Sequence, residues 1–212
     1  MVEGSDLRAL ASLREGESVV LPPPRTDGSM SVEAAIARRR SMRDFARAPI
    51  TLEAISQLLW SAAGITGSGY MRAAPSAGAR YPLEVYLACE QGLFHYIPQQ
   101  HALMKVQSED IRQALCDAAH GQEFVADAAV SIIFAAVYQR TTDRYDQRGI
   151  RYVHMDVGHA AENVHLQAEA LGLGSVPVGA FSDSAVEDVL RLPAEEKPVY
   201  IVPVGVKREP RG

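Results

Sequence analysis

The residues best suited to chemistry are Arg39-Arg40-Ser41-Met42-Arg43, a run that gathers guanidinium groups around a hydroxyl. Arginine's planar fork matches the oxygens of a phosphate and a hydroxyl adds a short donor, so the composition suits a small anion. A solvated last turn of a helix has the same composition, because cations complement the negative end of the helix dipole. Other stretches must separate the two readings.

The elements that position this run can be read directly. Ser31 is a candidate N-cap ahead of Val32, Ala35 and Ile36, which predicts a short helix running into Arg38, Arg39 and Arg40. Asp44-Phe45 then runs extended towards Pro49. The arginines are therefore expected to cluster in space.

The totals restrict what can bind there. A chain of 212 residues with 47% hydrophobic content buries one sizeable core. A formal net charge of -5 speaks against a general nucleic-acid or anionic-membrane binder, so a local basic run points to a small anionic ligand. Cys89 and Cys116 form no CxxC pair and read as ordinary reduced residues. Residues 1–6 lack a basic segment followed by an apolar one, and residues 128–137 are too short to span a bilayer, so the expected setting is cytoplasmic.

Along the chain, residues 6–14 read as a short helix capped by Ser5, and Val19-Val20-Leu21 leads into Pro22-Pro23-Pro24 as an extended arm. That gives an arm over residues 1–30, either a loose leader or a strap on a partner subunit, and a single domain over residues 31–212. Thr51 caps a helix with Leu52, Ile55, Leu58, Leu59 and Ala62 on one face, Trp60 is expected in the core, and Gly64, Gly67 and Gly69 read as a flexible loop. Residues 75–82 are a turn-rich run of small side chains before a strand over residues 83–89. A hairpin at Gln91-Gly92 returns through residues 93–97. Ser108 is expected to cap a helix reaching His120, residues 128–138 read as a buried strand, and residues 139–151 as a solvated face or mobile loop. The longest helix is expected over residues 152–171, stopped by Gly172, followed by a glycine-punctuated segment and a strand over residues 198–206.

Two chemistries are excluded. Asp156, His159, Glu162 and His165 advance along the long helix in steps of three, each of which drifts by about 60°, so Asp156 and His165 end on opposite faces and no metal site is expected. No Gly-x-Ser-x-Gly, His-Glu-x-x-His or phosphate loop is present, so enzymatic chemistry would fall to a cofactor.

Three stretches in order, Arg39-Arg40-Ser41-Met42-Arg43-Asp44-Phe45, then Pro75-Ser76-Ala77-Gly78 continuing to Tyr81-Pro82-Leu83-Glu84-Val85-Tyr86, then Gly172-Leu173-Gly174-Ser175-Val176-Pro177-Val178-Gly179-Ala180-Phe181, resemble the FMN-dependent nitroreductase family. Arg151-Tyr152 at the start of the long helix adds to the match, which runs over about residues 22–206. The chain looks most like the SagB-type dehydrogenase branch, which includes azoline oxidases of peptide pathways. The resemblance implies an α+β fold, with a central, mostly antiparallel sheet flanked by helices. It also implies an intertwined homodimer with FMN at the subunit interface.

It further implies that Arg39, Arg40 and Ser41 hold the FMN phosphate and ribityl chain while Arg43 reaches the pyrimidine edge of the flavin. Pro75, Ser76, Ala77 and Gly78 would face the flavin bound mainly by the other subunit. Gln122 would add a side-chain amide, Pro177, Val178, Gly179 and Ala180 backbone donors near flavin N5 and O4, and Lys207 and Arg208 phosphate contacts. The implied reaction is ping-pong, with hydride passing from NAD(P)H through flavin N5 to a nitroaromatic, quinone or similar small acceptor. Azoline oxidases carry Lys-Tyr where this chain has Arg144-Tyr145. Arginine stays protonated and cannot take over a lysine's role as base, so Arg144 reads either as a solvated charge or, with Tyr145, as a substrate or nicotinamide-phosphate contact. Substrate dehydrogenation in the opposite sense and non-catalytic flavin binding are the competing classes.

Overall fold

A stretch with no charged side chain over seven residues, Val130–Ala136, must lie where both faces are covered, and it forms the central strand β6, buried at every position. The computed structural model describes residues 7–208. Among them, β6 pairs on one side with β3 (Leu83–Cys89) and on the other with β8 (Lys197–Lys207). Outward from β3 come β4 (Gly92–Ile97), β5 (Ala102–Gln107) and β1 (Ser18–Val20); β2 (Phe45–Ala46) and β7 (Leu173–Ser175) flank β8. Every pairing of these strands is antiparallel.

Strand alternation divides the core in two. Val85, Leu87, Ile132, Phe134, Val202 and Val204 face helices α3 (Leu52–Ala63) and α7 (Arg148–Ala170), while Tyr86, Ala88, Ile133, Ala135 and Ile201 face α4 (Arg112–Ala118) and α8 (Asp183–Leu190). The α+β class, with a largely antiparallel sheet between helices, is as the sequence indicates.

Among the described residues, N-cap side chains set the starts of three helices, α2 (Val32–Arg38), α3 and α8. Ser31 accepts from the Ala34 amide to start α2, and Thr51 does the same for α3 through Ala54. Ser108 does not cap α4; the Asp110 carboxylate accepts from the Arg112 amide and fixes that start nearer the helix. Of the two readings of residues 139–151, the solvated face is the one found: the run is mostly exposed, but it is helical, as α6 (Gln139–Tyr145) and the first turn of α7, with Gly149 packed on the Thr141-Thr142 backbone. The chain reading contained neither β5 nor α8. The short helices α1 (Arg8–Ser12) and α5 (Phe124–Asp127) complete the set.

The amino-terminal segment belongs to its own subunit's sheet over the described part. Its strand β1 pairs with β5, Leu10 and Leu21 enter the core, and Gln57 receives the Arg25 amide. Ser5 lies outside the described residues. Trp60 is only half-buried and does not complete the core; it borders a cavity of about 590 Å³ beside the loop at residues 25–31. Gly64 is there for close approach rather than flexibility, since a Cβ would lie 2.2 Å from Trp60 Cδ1.

The β3–β4 hairpin turns at Glu90-Gln91 and pairs Cys89 with Gly92. Gly92 has φ +121°, and a Cβ there would lie 2.2 Å from the Gln107 carbonyl oxygen of β5, which cannot move without breaking the ladder. Gly92→Ala is expected to destabilise the fold by about 2–3 kcal/mol, read as a lower urea midpoint at unchanged m-value.

Candidate functional site

The long helix α7 holds two separate groups of site residues. Its buried stripe of Val153, Val157, Ala160, Ala161, Val164 and Ala168 is bordered on its two opposite edges by Asp156 and His165, each almost fully enclosed. They are nine positions apart, about 13 Å along the helix at 1.5 Å per residue. Each organises a different loop.

At His165 the expected anion turn is assembled. Ser41 bridges Ser175 of β7 and the Met42 amide donates to the Ser175 carbonyl at 3.0 Å. Arg39 Nη1 donates to His165 Nε2 at 2.9 Å, and His165 Nδ1 meets Ser175 Oγ. Gly174 allows this close approach: a Cβ would sit 3.0 Å from the Met42 Cβ and 3.3 Å from the Lys207 side chain. The turn, β7 and the end of β8 are thereby brought side by side.

The arginines do not converge as one cluster. Arg40 folds back onto the carbonyls of Ala37 and Arg39, and Arg43 lies over the Phe124 ring at 5.9 Å. Lys207 is close by but pairs with Glu169 at 2.6 Å, and Arg208 pairs with Asp44 at 2.9 Å. Among the described residues, no carboxylate pairs with Arg40 or Arg43, so those two have no internal counter-charge there.

Gln122 joins the same region, because its amide nitrogen donates to Ala119 and to Ala180. Both hydrogens are thereby engaged, which leaves its oxygen as an acceptor. The expectation of four backbone donors over Pro177, Val178, Gly179 and Ala180 needs correction. Pro177 has no N–H, and the Val178 amide is spent on the Ile201 carbonyl at 2.7 Å. Gly179 and Ala180, both exposed, carry the amides left to serve a ligand.

At Asp156 the second loop is held. The Ala77 amide donates to Asp156 Oδ1, Ser76 Oγ accepts from the Tyr81 amide, and Ala77–Ala79 form a 3-10 turn in which Gly78 has φ +59°. A Cβ on Gly78 would lie 2.5 Å from the Tyr145 hydroxyl and 3.3 Å from Arg144 Nη1. Pro75, Ser76, Ala77 and Gly78 thus share a corner with Arg144 and Tyr145. Arg144 stands over the Tyr145 ring, which meets Tyr152 edge-on, with Arg148 above Tyr152.

Burial moves both polar anchors towards neutrality. Desolvation raises the Asp156 carboxyl despite hydrogen bonds from Ser76 and Ala77, and its Oδ2 is enclosed with no partner. Desolvation, and then the Arg39 charge, lower His165 to about 4. Asp156, His159, Glu162 and His165 do not meet, and among the described residues no three His, Cys, Asp or Glu side chains are placed to share a metal. Sequence reasoning overlooked Asp156 and His165 as anchors. The available signal was that both fall on the apolar register of α7, where a polar residue has to be satisfied by a neighbour.

A model of the nitroreductase family matches residues 36–206. The chain belongs to the nitroreductase family. A Methanocaldococcus jannaschii protein classed as a nitroreductase is 42% identical over 186 residues, covering 85% of this chain and 93% of that relative. A crystal structure of a Ralstonia eutropha protein classed in the same way superposes with a TM-score of 0.83 at 30% identity, covering 93% of both chains. An NAD(P)H-dependent FMN reductase of Bacillus subtilis is 30% identical over 118 residues, 50% of this chain and 46% of that relative. This nitroreductase-family chain therefore spans a little under half of that last relative. Among the described residues no helix is long and apolar enough to cross a membrane.

The pH response of the His165 anchor has a definite sign. In the unfolded chain an ordinary histidine takes up a proton near 6.5, while the folded ring resists until about 4. Over that window the unfolded state binds more protons, so the stability present above 6.5 is lost as the pH falls towards 4. Denaturant unfolding at about pH 7 and about pH 5 should show wild type losing more stability than His165→Gln, which cannot titrate.

Proposed function

We propose that this chain is an FMN-dependent NAD(P)H oxidoreductase of the nitroreductase family, reducing nitroaromatic, quinone or similar acceptors. The observation that carries the reading is the turn at Arg39, Arg40, Ser41, Met42 and Arg43 fastened to β7, with two arginines free of carboxylates. The donor set suits FMN: a phosphate monoester is nearly dianionic at neutral pH, and cationic forks match its oxygens. Arg39, Arg40 and Ser41 would hold the phosphate and ribityl chain. Lys207 and Arg208 are close enough to exchange their internal carboxylates for it.

Bound FMN supplies a hydride acceptor and donor at N5, which couples NAD(P)H oxidation to reduction of a second substrate in the same pocket. The protein's part is orientation and charge. Arg43, held over Phe124, would sit at the pyrimidine edge, where negative charge gathers on reduction, and so favours the reduced state. The exposed amides of Gly179 and Ala180 would serve N5 and O4. The small residues Ser76, Ala77 and Gly78 permit a flat ring to approach backbone.

A homodimer follows from the separation of the two groups on α7. The loop of Pro75, Ser76, Ala77 and Gly78 and the arginine turn are tied to α7 at Asp156 and His165, which lie about 13 Å apart along the helix axis and on opposite sides of it; on this reading the loop serves the site of the other subunit. Apolar surface supports this: Val32 and Ile36 on α2 are 66% and 58% exposed, and Met155 on α7 is 51% exposed. Single exposed apolar residues are ordinary, but several on two adjacent helices mark a contact face.

Within the family the motif set favours the SagB-type dehydrogenase branch. Arg144 in place of lysine removes the base that azoline oxidation requires. We therefore assign Arg144 and Tyr145 to contact with substrate or with the nicotinamide phosphate, where a fixed cation beside an aromatic ring is useful.

The purified protein should show a flavin absorption band that bleaches on anaerobic addition of NADPH or NADH and returns with a nitroaromatic or quinone. A bound flavin that neither nucleotide reduces would turn the assignment towards substrate dehydrogenation, and an inability to take up FMN would remove it. In parallel, light scattering with flavin quantification should give a dimer carrying about one FMN per chain; a monomer that retains stoichiometric FMN would refute the shared site.

A further inference from the structure

We propose that His165 is a positioning residue that holds Arg39 rigid, at full charge, to receive a phosphate monoester. The proposal rests on the flavin-site reading above and identifies what preorganises the phosphate end of that site.

The geometry fixes the protonation state. A guanidinium can only donate, so the 2.9 Å contact between Arg39 Nη1 and His165 Nε2 makes the ring nitrogen the acceptor. The imidazole is then neutral, its proton is on Nδ1, and that proton is donated to Ser175 Oγ. Ser175 is itself set in β7 against Val204, and its carbonyl receives the Met42 amide. A single serine therefore fixes the backbone of the anion turn directly and its first arginine through the imidazole. His165 is only 3% exposed, so the ring cannot swing away.

A neutral acceptor does something that a carboxylate could not. Aspartate or glutamate at this place would orient the guanidinium but cancel its charge, as Glu169 does for Lys207 and Asp44 for Arg208. The imidazole orients and leaves the charge intact. The remaining acid near Arg39 is Glu162, half-exposed at 3.8 Å from Nε, where solvent screens it. The charged groups around the ring are Arg39 at the end of α2, Glu162 and Glu169 on α7, and Lys207 on β8 paired to Glu169. Burial together with the Arg39 charge keeps the ring neutral at physiological pH.

The test compares FMN with riboflavin, which lacks the phosphate, by flavin-fluorescence titration of apoprotein from wild type, His165→Leu and His165→Gln. The leucine variant should bind FMN about tenfold more weakly, the loss of one hydrogen bond to a charged group, with riboflavin affinity unchanged. The glutamine variant, whose amide oxygen can still accept from Arg39, should stay within about threefold of wild type for both. Circular dichroism and thermal midpoints establish that each variant is folded. If a folded leucine variant binds FMN as wild type does, or loses FMN and riboflavin equally, the proposal is overturned, the second outcome assigning His165 to packing alone. Wild type that shows no preference for FMN over riboflavin would overturn the phosphate reading itself, and this is visible before any substitution is made.

Discussion

A carboxyl and an imidazole buried on one helix constrain the rest of the site. Asp156 and His165 occupy positions on α7 that the apolar stripe would otherwise claim, and a buried polar atom must find a partner or cost about 1–3 kcal/mol. The partners are loops: the Ala77 amide for Asp156, and Arg39 with Ser175 for His165. Loop positions that no local propensity could determine are thus set by desolvation. The helix is in turn held by α3, on the face of the sheet that buries Val157, Ala160 and Val164.

The two ends of that arrangement differ in chemical character. Towards His165 the chain accumulates cations, and among the described residues two of them, Arg40 and Arg43, have no carboxylate partner, which matches an anionic ligand rather than a structural ion pair. Around Asp156 it collects small side chains, a left-handed glycine and a pair of tyrosines flanked by arginines. One region suits a phosphate and the other a planar ring. The proposed flavin mononucleotide has both.

Much of the fold was legible because period and capping agree with packing. Ser31 and Thr51 announced their helices, the unbroken apolar run of β6 announced a doubly covered strand, and the turn chemistry around Gln91-Gly92 gave the hairpin. The misses have physical causes. The polar run over residues 139–151 is solvated as its composition indicates, but its helical backbone was hidden because the apolar side of α6 is as small as Thr141 against Gly149. Alternating polar residues hid β5, whose Lys105 and Gln107 are buried by hydrogen bonds to carbonyls rather than by apolar contact. At the site, residue types pointed to the arginine turn, whereas the spending of the Val178 amide on Ile201 depends on a pairing between distant segments that no local pattern contains.

The spacing between Asp156 and His165 also acts as a gauge. Each residue of an α-helix advances about 1.5 Å and turns about 100°, so a single insertion or deletion between them would rotate one anchor away from its loop while leaving the other in place. A solvent-facing position in that interval such as His159 is open to exchange. The interval's length is not. The helix can vary in its letters but not in its count, and the two loops it serves are bound to change together or not at all.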